Sequence, residues 1–104
     1  MEVKVLWSDT SLIQLQEIFD YHNLRASVTV ARKIVKGIVE KSILLEANPL
    51  IGIKEPLLAD KAFEYHFFIE NNYKIIYRFN DNIIRIVSIF DCRKNPKELE
   101  KIED

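Results

Sequence analysis

Between Phe63 and Phe90 hydrophobic and polar residues alternate in three consecutive runs. Phe63 to Ile69, Tyr73 to Phe79 and Ile83 to Phe90 each carry β-branched and aromatic residues at a period of two, separated by Glu70-Asn71-Asn72 and Asn80-Asp81-Asn82. Such runs bounded by Asn/Asp clusters predict strands, here a three-stranded antiparallel meander. A three-residue turn over Glu70 to Asn72, with Asn72 in the left-handed conformation, would set Ile69 against Tyr73. Tyr65, Phe67, Ile69, Tyr73, Ile75, Tyr77 and Phe79 would then share one face, leaving Glu64, His66, Phe68, Lys74, Ile76 and Arg78 on the other. A two-residue turn at Asn71-Asn72 would split the aromatics between the faces, because a one-residue slip inverts every side chain of a strand. The three-residue turn is therefore the expectation. In the second hairpin, a two-residue Asp81-Asn82 turn sets Phe79 against Ile84 and Arg78 against Arg85. The meander is expected to have one apolar face and one where His66, Lys74, Arg78 and Arg85 gather.

Ahead of the meander, Glu2 to Trp7 alternates and reads as a first strand. Ser8, Asp9, Thr10 and Ser11 are N-cap residues before Leu12, Leu15, Ile18 and Phe19, whose spacing predicts a helix from about Thr10 to His22. Ser27 or its neighbour can cap a second helix carrying Val30, Ala31, Ile34, Val35 and Ile38, which Asn48-Pro49 would stop. The tight connection predicts an antiparallel helix hairpin. Gly37 weakens the second helix by about 1 kcal/mol relative to Ala; either close packing against the first helix would offset this or the helix simply tolerates it. Pro49 to Ala62 has no period and reads as a loop. Asn95 as cap and Pro96 at the first helical position predict a short terminal helix through Leu99. The order strand, helix, helix, strand, strand, strand is that of an α+β two-layer domain, with the helix hairpin on an antiparallel sheet.

At 104 residues the chain is expected to be one domain, 1–104. Its 48% hydrophobic and 30% charged residues have no disordered signature. There is no apolar run of membrane-spanning length and no signal-peptide pattern at the N-terminus, and Cys92 is the only cysteine. These features point to the cytoplasm. A net charge of −1 gives no attractive field for nucleic acid, so such a partner would need a local basic patch.

Order, length and local motifs together resemble the RelE/ParE superfamily, the toxins of bacterial type II toxin-antitoxin modules, which include plasmid stabilisation proteins. Trp7, Ile18-Phe19-Asp20-Tyr21, Ala31, Ile38, Asn48-Pro49, Gly52 and Tyr65-His66 carry the likeness, most sharply with Asn72-Tyr73-Lys74-Ile75-Ile76-Tyr77 and Phe90-Asp91-Cys92-Arg93-Lys94-Asn95-Pro96. The resemblance covers nearly the whole chain. It implies a strand-helix-helix-strand-strand-strand fold, a cognate antitoxin, possible assembly into a toxin-antitoxin hetero-oligomer, and one of two targets. RelE-like members cut mRNA in the ribosomal A site; ParE-like members poison DNA gyrase.

RNA cleavage through the 2′-hydroxyl needs a base, cations around the phosphate and an acid for the leaving oxygen. The resemblance implies these roles for His66 (a basic position), Lys74 (an arginine in the nucleases) and Arg93 (near a C-terminal arginine); Glu64, expected beside His66 on the same face, could orient the imidazole or serve as base. Phe68 stands where the ribosome-dependent nuclease is basic, Lys74 lacks the bidentate reach of arginine, and no tyrosine or histidine follows Phe90. These departures favour a ParE-like or non-nucleolytic toxin over the nuclease; a degenerate, non-toxic antitoxin-binding module is the third reading. Arg78, Arg85, Arg93 and Lys94 are the expected contacts for an acidic antitoxin. Arg78 opposite Arg85 calls for an intervening acid or anion, since like charges directly across a strand pair are destabilising, and Glu64 is the candidate acid. Asp91 could hold Arg93. His22 would serve the end of the first helix, and Tyr65, Tyr73 and Tyr77 read as core aromatics. No cofactor is implied, and two histidines and one cysteine without ligand spacing argue against a metal site.

Overall fold

The computed structural model describes residues 2–102, apart from the side chains of residues 100 and 101. The elements run β1 (Lys4–Trp7), α1 (Asp9–Arg25), α2 (Val28–Leu44), β2 (Ile53–Lys54), β3 (Tyr65–Glu70), β4 (Tyr73–Asn80) and β5 (Ile83–Asp91). Short 3-10 segments follow β2 at Pro56–Leu58 and close the described chain at Pro96–Lys101. The strands form one mixed sheet in the order β1-β5-β4-β3-β2, in which β1 runs parallel to β5 and the other pairs are antiparallel. The helix hairpin covers one face of an α+β fold, as the hydrophobic pattern implies.

Serine caps start both helices. Ser8 Oγ accepts from the Ser11 amide at 3.0 Å, and Ser27 Oγ accepts from the Val30 amide at 3.1 Å. The first cap also fixes the helix to the sheet: Ser8 Oγ donates to Val87 O at 3.1 Å and Ser11 Oγ to Ile86 O at 3.2 Å. Helix α2 ends at Leu44, before Asn48-Pro49, and its last turns tighten into i to i+3 bonds that reach Asn48. Gly37 faces β3 rather than α1, since a Cβ there would lie 3.0 Å from Glu70 Oε2. Asn95 caps the final 3-10 segment, with Pro96 at its start and Leu99 buried. The stretch from 49 to 62 is not wholly loop, because β2 and the first 3-10 segment lie within it.

The second hairpin has the expected register: Arg78 faces Arg85, Phe79 faces Ile84, and Asp81 and Asn82 both take positive φ, 53° and 60°. The first does not. Glu70 pairs with Tyr73, so the turn is the two-residue Asn71-Asn72, and Asn71 rather than Asn72 is left-handed, with φ of 58°. Strand β3 is therefore inverted relative to the expectation. His66 and Phe68 lie on the helix-facing side with Tyr73, Ile75 and Tyr77, and Tyr65, Phe67 and Ile69 lie on the outer side with Lys74, Ile76 and Arg78. The physical reason is a second apolar layer. On the helix side Ile18, Ile38, Leu45, Phe68, Ile75 and Tyr77 pack with Ile84, Ile86 and Ile89. On the outer side Leu58 and Leu99, from the two 3-10 segments, close over Tyr65, Ile76 and Phe90. Aromatics divided between two covered faces both escape water, so the split that argued against this register carries no penalty.

A left-handed Asn71 makes the turn testable. Asn71→Gly is expected to hold stability within about 0.5 kcal/mol, whereas Asn71→Val should lose about 1–2 kcal/mol because a β-branched residue resists positive φ. Urea denaturation of both variants reads the difference; equal midpoints would contradict the turn.

Candidate functional site

The sheet distributes the charged residues into three clusters. On the outer face, Lys74 Nζ lies 2.8 Å from Glu55 Oε2 and 4.2 Å from the centroid of the Phe67 ring. Glu55 is buried, and its other oxygen accepts from the Leu57 amide at 3.1 Å, capping the 3-10 turn. Arg78, two residues along the same face, stacks its guanidinium 3.8 Å from the Phe63 centroid and donates to Asn80 Oδ1 at 3.0 Å. Burial first, and Arg85 second, push the Arg78 guanidinium below its ordinary value. Arg85 is exposed across the strand.

The second cluster sits at the β3 edge. Glu64 accepts from Lys54 Nζ at 3.0 Å and contacts His66 Nε2 at 3.0 Å. These partners, Lys54 before His66, hold the Glu64 carboxyl below its usual range. Glu64 thus serves β2 and β3 and is not the acid between Arg78 and Arg85. The other ring nitrogen of His66, Nδ1, lies 3.3 Å from Gly52 O, and the ring stacks on Tyr77 at 5.8 Å. Both ring nitrogens of His66 are thus within hydrogen-bond distance of groups of the fold itself.

The third cluster closes the end of β5 against α1. Asp91 grips Arg93 in a fork, Oδ1 to Nε at 2.9 Å and Oδ2 to Nη2 at 2.8 Å, and Oδ1 also accepts the Arg93 amide at 2.9 Å. The Arg93 fork holds the Asp91 carboxyl below its ordinary value against the opposing effect of burial, and Asp91 raises Arg93 in return. Arg93 and Arg25 lie 5.6 Å and 4.7 Å from the centroid of the Tyr21 ring. His22 Nε2 shares a 2.9 Å hydrogen bond with the Tyr73 hydroxyl, so its ring serves the sheet rather than the helix end. Gln14, Glu17, Tyr21, Tyr73, Arg93 and Lys94 line part of the cleft here, about 360 Å³ in volume.

Glu64 and His66 are thus in contact, but Lys74 emerges on the opposite face from His66, and Arg93 lies against α1. His66 does not gather with Lys74, Arg78 and Arg85. Sequence reasoning passed over Glu55, which lies in a stretch without period, and the aromatic wall of Tyr21; the Glu55-Pro56 pair, a capping acid before proline, was the available signal. Among the described residues no group of three or more His, Cys, Asp and Glu could hold a metal ion, and no helix is long and apolar enough to cross a membrane.

The comparisons agree with this architecture. The family model of the ParE toxin of the type II toxin-antitoxin system, parDE, matches residues 5–96. The chain belongs to this family and is a type II toxin with a cognate antitoxin. Among solved structures, one titled "Chromosomal ParDE TA system from P. aeruginosa" superposes with a TM-score of 0.71 at 19% identity, over 86% of this chain and 95% of that one. At that identity the likeness is one of fold. No curated protein matches the sequence significantly.

Two outcomes test these clusters. Glu55→Ala strands the partly buried Lys74 ammonium and is expected to destabilise the protein by about 3 kcal/mol, whereas the double change Glu55→Leu with Lys74→Met should recover most of the loss. Denaturant midpoints check this, and additive losses would contradict a coupled pair. A carboxyl depressed on folding, like that of Asp91, stabilises the native state above its unfolded value, near 4, and that contribution is lost as pH falls through the lower folded value. Thermal melts of Arg93→Ala should accordingly show a smaller stability loss than wild type on acidification below about pH 4.

Proposed function

We propose that this toxin inhibits growth in the cytoplasm by poisoning DNA gyrase, in ParE fashion, rather than by cutting ribosome-bound mRNA. The observation that carries this reading is the separation of the two cations a scissile phosphate would need. Lys74 lies on the outer face against buried Glu55, while Arg93 lies on the helix side in the grip of Asp91. A nuclease concentrates its charge around one phosphate, and here each cation already has its own carboxylate. The engagement of both His66 nitrogens by Glu64 and Gly52 supports the same reading, since a general base must lie within reach of the proton it takes. The family match adds a ParE-type prior.

The cleft beside Tyr21 is the proposed target contact, with Arg93 and Lys94 presenting donors and Tyr21 an exposed ring. Arg78 and Arg85 remain the proposed contacts for acidic side chains of the antitoxin, which would lie across the outer face.

Purified toxin is expected to inhibit gyrase supercoiling of relaxed plasmid and to leave mRNA on translating ribosomes intact. The double change Arg93→Ala with Lys94→Ala should weaken inhibition about tenfold or more, the scale of losing one charge-assisted hydrogen bond. Ribosome-dependent mRNA cleavage that disappears in Lys74→Ala would overturn the proposal in favour of the nuclease. Unimpaired growth under induced expression would overturn it in favour of a non-toxic antitoxin-binding module.

A further inference from the structure

Strand β1 covers only part of the sheet edge it occupies. It pairs with Ile83 to Ile86 of the nine-residue β5, and the chain then turns into α1 at Ser8, whose amide donates to Ile86 O at 2.9 Å. From there side chains of α1, three residues apart, serve the edge. Ser8 Oγ donates to Val87 O at 3.1 Å, Ser11 Oγ to Ile86 O at 3.2 Å, and Gln14 Oε1 accepts from the Ile89 amide at 2.7 Å. Gln14 Nε2 crosses the edge to Ser88 Oγ at 3.2 Å. A half-buried glutamine thus stands where the carbonyl of a neighbouring strand would stand. The row ends there. Cys92 turns its amide inwards, to Asn72 O at 2.9 Å, so by alternation Asp91, like Ile89, turns its amide outwards. The Asp91 carbonyl is taken by the Lys94 amide at 2.9 Å, while the Ile89 carbonyl and the Asp91 amide face the open side.

Two clefts flank this stretch, about 360 Å³ on the helix side and about 260 Å³ on the outer side, and Gln14, Ile89, Asp91 and Lys94 line both. Side chains that alternate along an added strand would enter one and then the other. Asp91 matches Arg93 at 2.8 Å, and the exposed Lys94 beside them adds a further positive charge. Glu17 lines the helix-side cleft and Glu98 the outer one, so a run of phosphates would be repelled where a peptide with one acidic side chain would not. A folded second copy fits less well, because α1 lies along this edge and each copy would bring its own helix to the same line.

We infer that an extended segment of the poisoned target, with an acidic side chain beside Lys94, adds to the open half of β5 as a sixth strand, pairing with Ile89 and Asp91 and displacing the Gln14 amide. The inference rests on the proposed function for gyrase as the target and states how the cleft beside Tyr21 takes hold of it. Gln14 then acts as a removable cover: it satisfies the Ile89 amide in free toxin and gives way to a backbone carbonyl in the complex.

The test is hydrogen exchange of the intact toxin, free and bound to gyrase holoenzyme with plasmid, beside a supercoiling assay. The Asp91 amide should exchange about tenfold or more slowly in the complex than in free toxin. In Gln14→Ala the Ile89 amide should exchange faster than wild type in free toxin, yet as slowly as wild type in the complex, because the target's carbonyl has taken the place of the glutamine. Lys94→Glu should weaken gyrase binding about tenfold or more. Unchanged exchange at Asp91 in a complex that still inhibits supercoiling would overturn the inference and leave the target proposal standing. Fast exchange at Ile89 in the Gln14→Ala complex would overturn it too, since Gln14 would then have kept its place, as would binding by Lys94→Glu within about threefold of wild type. Slowing at Asp91 by the antitoxin but not by gyrase, by plasmid alone, or by dimerisation of free toxin would overturn it by assigning the edge to that occupant. Should Gln14→Ala fail to fold by circular dichroism, Asp91 exchange in the wild-type complex decides. A toxin that neither binds nor inhibits gyrase overturns both proposals, and the supercoiling assay tells that outcome from failure at this edge alone.

Discussion

Strand β4 is covered on both sides, and most of the molecule's arrangement follows from that. Tyr73, Ile75 and Tyr77 are at most 3% exposed under the helices, and Ile76 between them is 0% exposed beneath the 3-10 segments. A strand in this position has little solvated surface, so a charge on it calls for local compensation. Lys74 answers with Glu55 and the Phe67 ring, and Arg78 with the Phe63 ring and Asn80. A buried ion pair adds little net stability, because desolvation roughly cancels its Coulomb attraction. What the Glu55 pair secures is therefore geometry: it ties the 3-10 segment to β4 and closes the outer layer over Tyr65 and Ile76.

The same constraint explains which parts of the fold were legible in the chain. The β4-β5 register was readable because Asp81-Asn82 tolerates positive φ at both positions and because Phe79 and Ile84 belong to one apolar face whichever way β3 runs. The β3 register was misjudged by assuming that only one face of the sheet is dry. The residues that dry the other face, Leu58 and Leu99, lie in segments too short for a period to be visible. Strand β2, at two residues, is equally silent. The helices were plain from their caps and spacing, to within a few residues at each end.

The motifs that carried the family resemblance prove to be structural to a large degree. In the Asn72 to Tyr77 stretch, Tyr73, Ile75, Ile76 and Tyr77 are core, and only Lys74 reaches a charged partner. In the Asp91 to Pro96 stretch, Asp91 clamps Arg93, while Asn95 caps the last 3-10 segment with an acceptor 3.0 Å from the Lys97 amide. Sequence likeness of this kind reports the scaffold more faithfully than the chemistry on it. The candidate residues His66, Lys74, Arg93 and Glu64 were thus findable one by one, but their mutual distance was not. Convergence depends on strand parity and on which face each turn chooses, and one inverted strand is enough to separate them.

Gly52 connects the core to the edge of the sheet. Its amide donates to the Tyr77 hydroxyl at 3.0 Å, its carbonyl lies 3.3 Å from His66 Nδ1, and a Cβ there would come within 2.4 Å of that hydroxyl and 2.8 Å of Phe67 O. Only glycine lets the backbone approach so closely. Tyr77, a residue of the innermost layer, consequently sets where the chain enters β2, and with it how far the edge beside Ile69 stays open. A partner bound at that edge would meet a surface held from within the core, whose ordering cost has already been met by folding rather than at the moment of association.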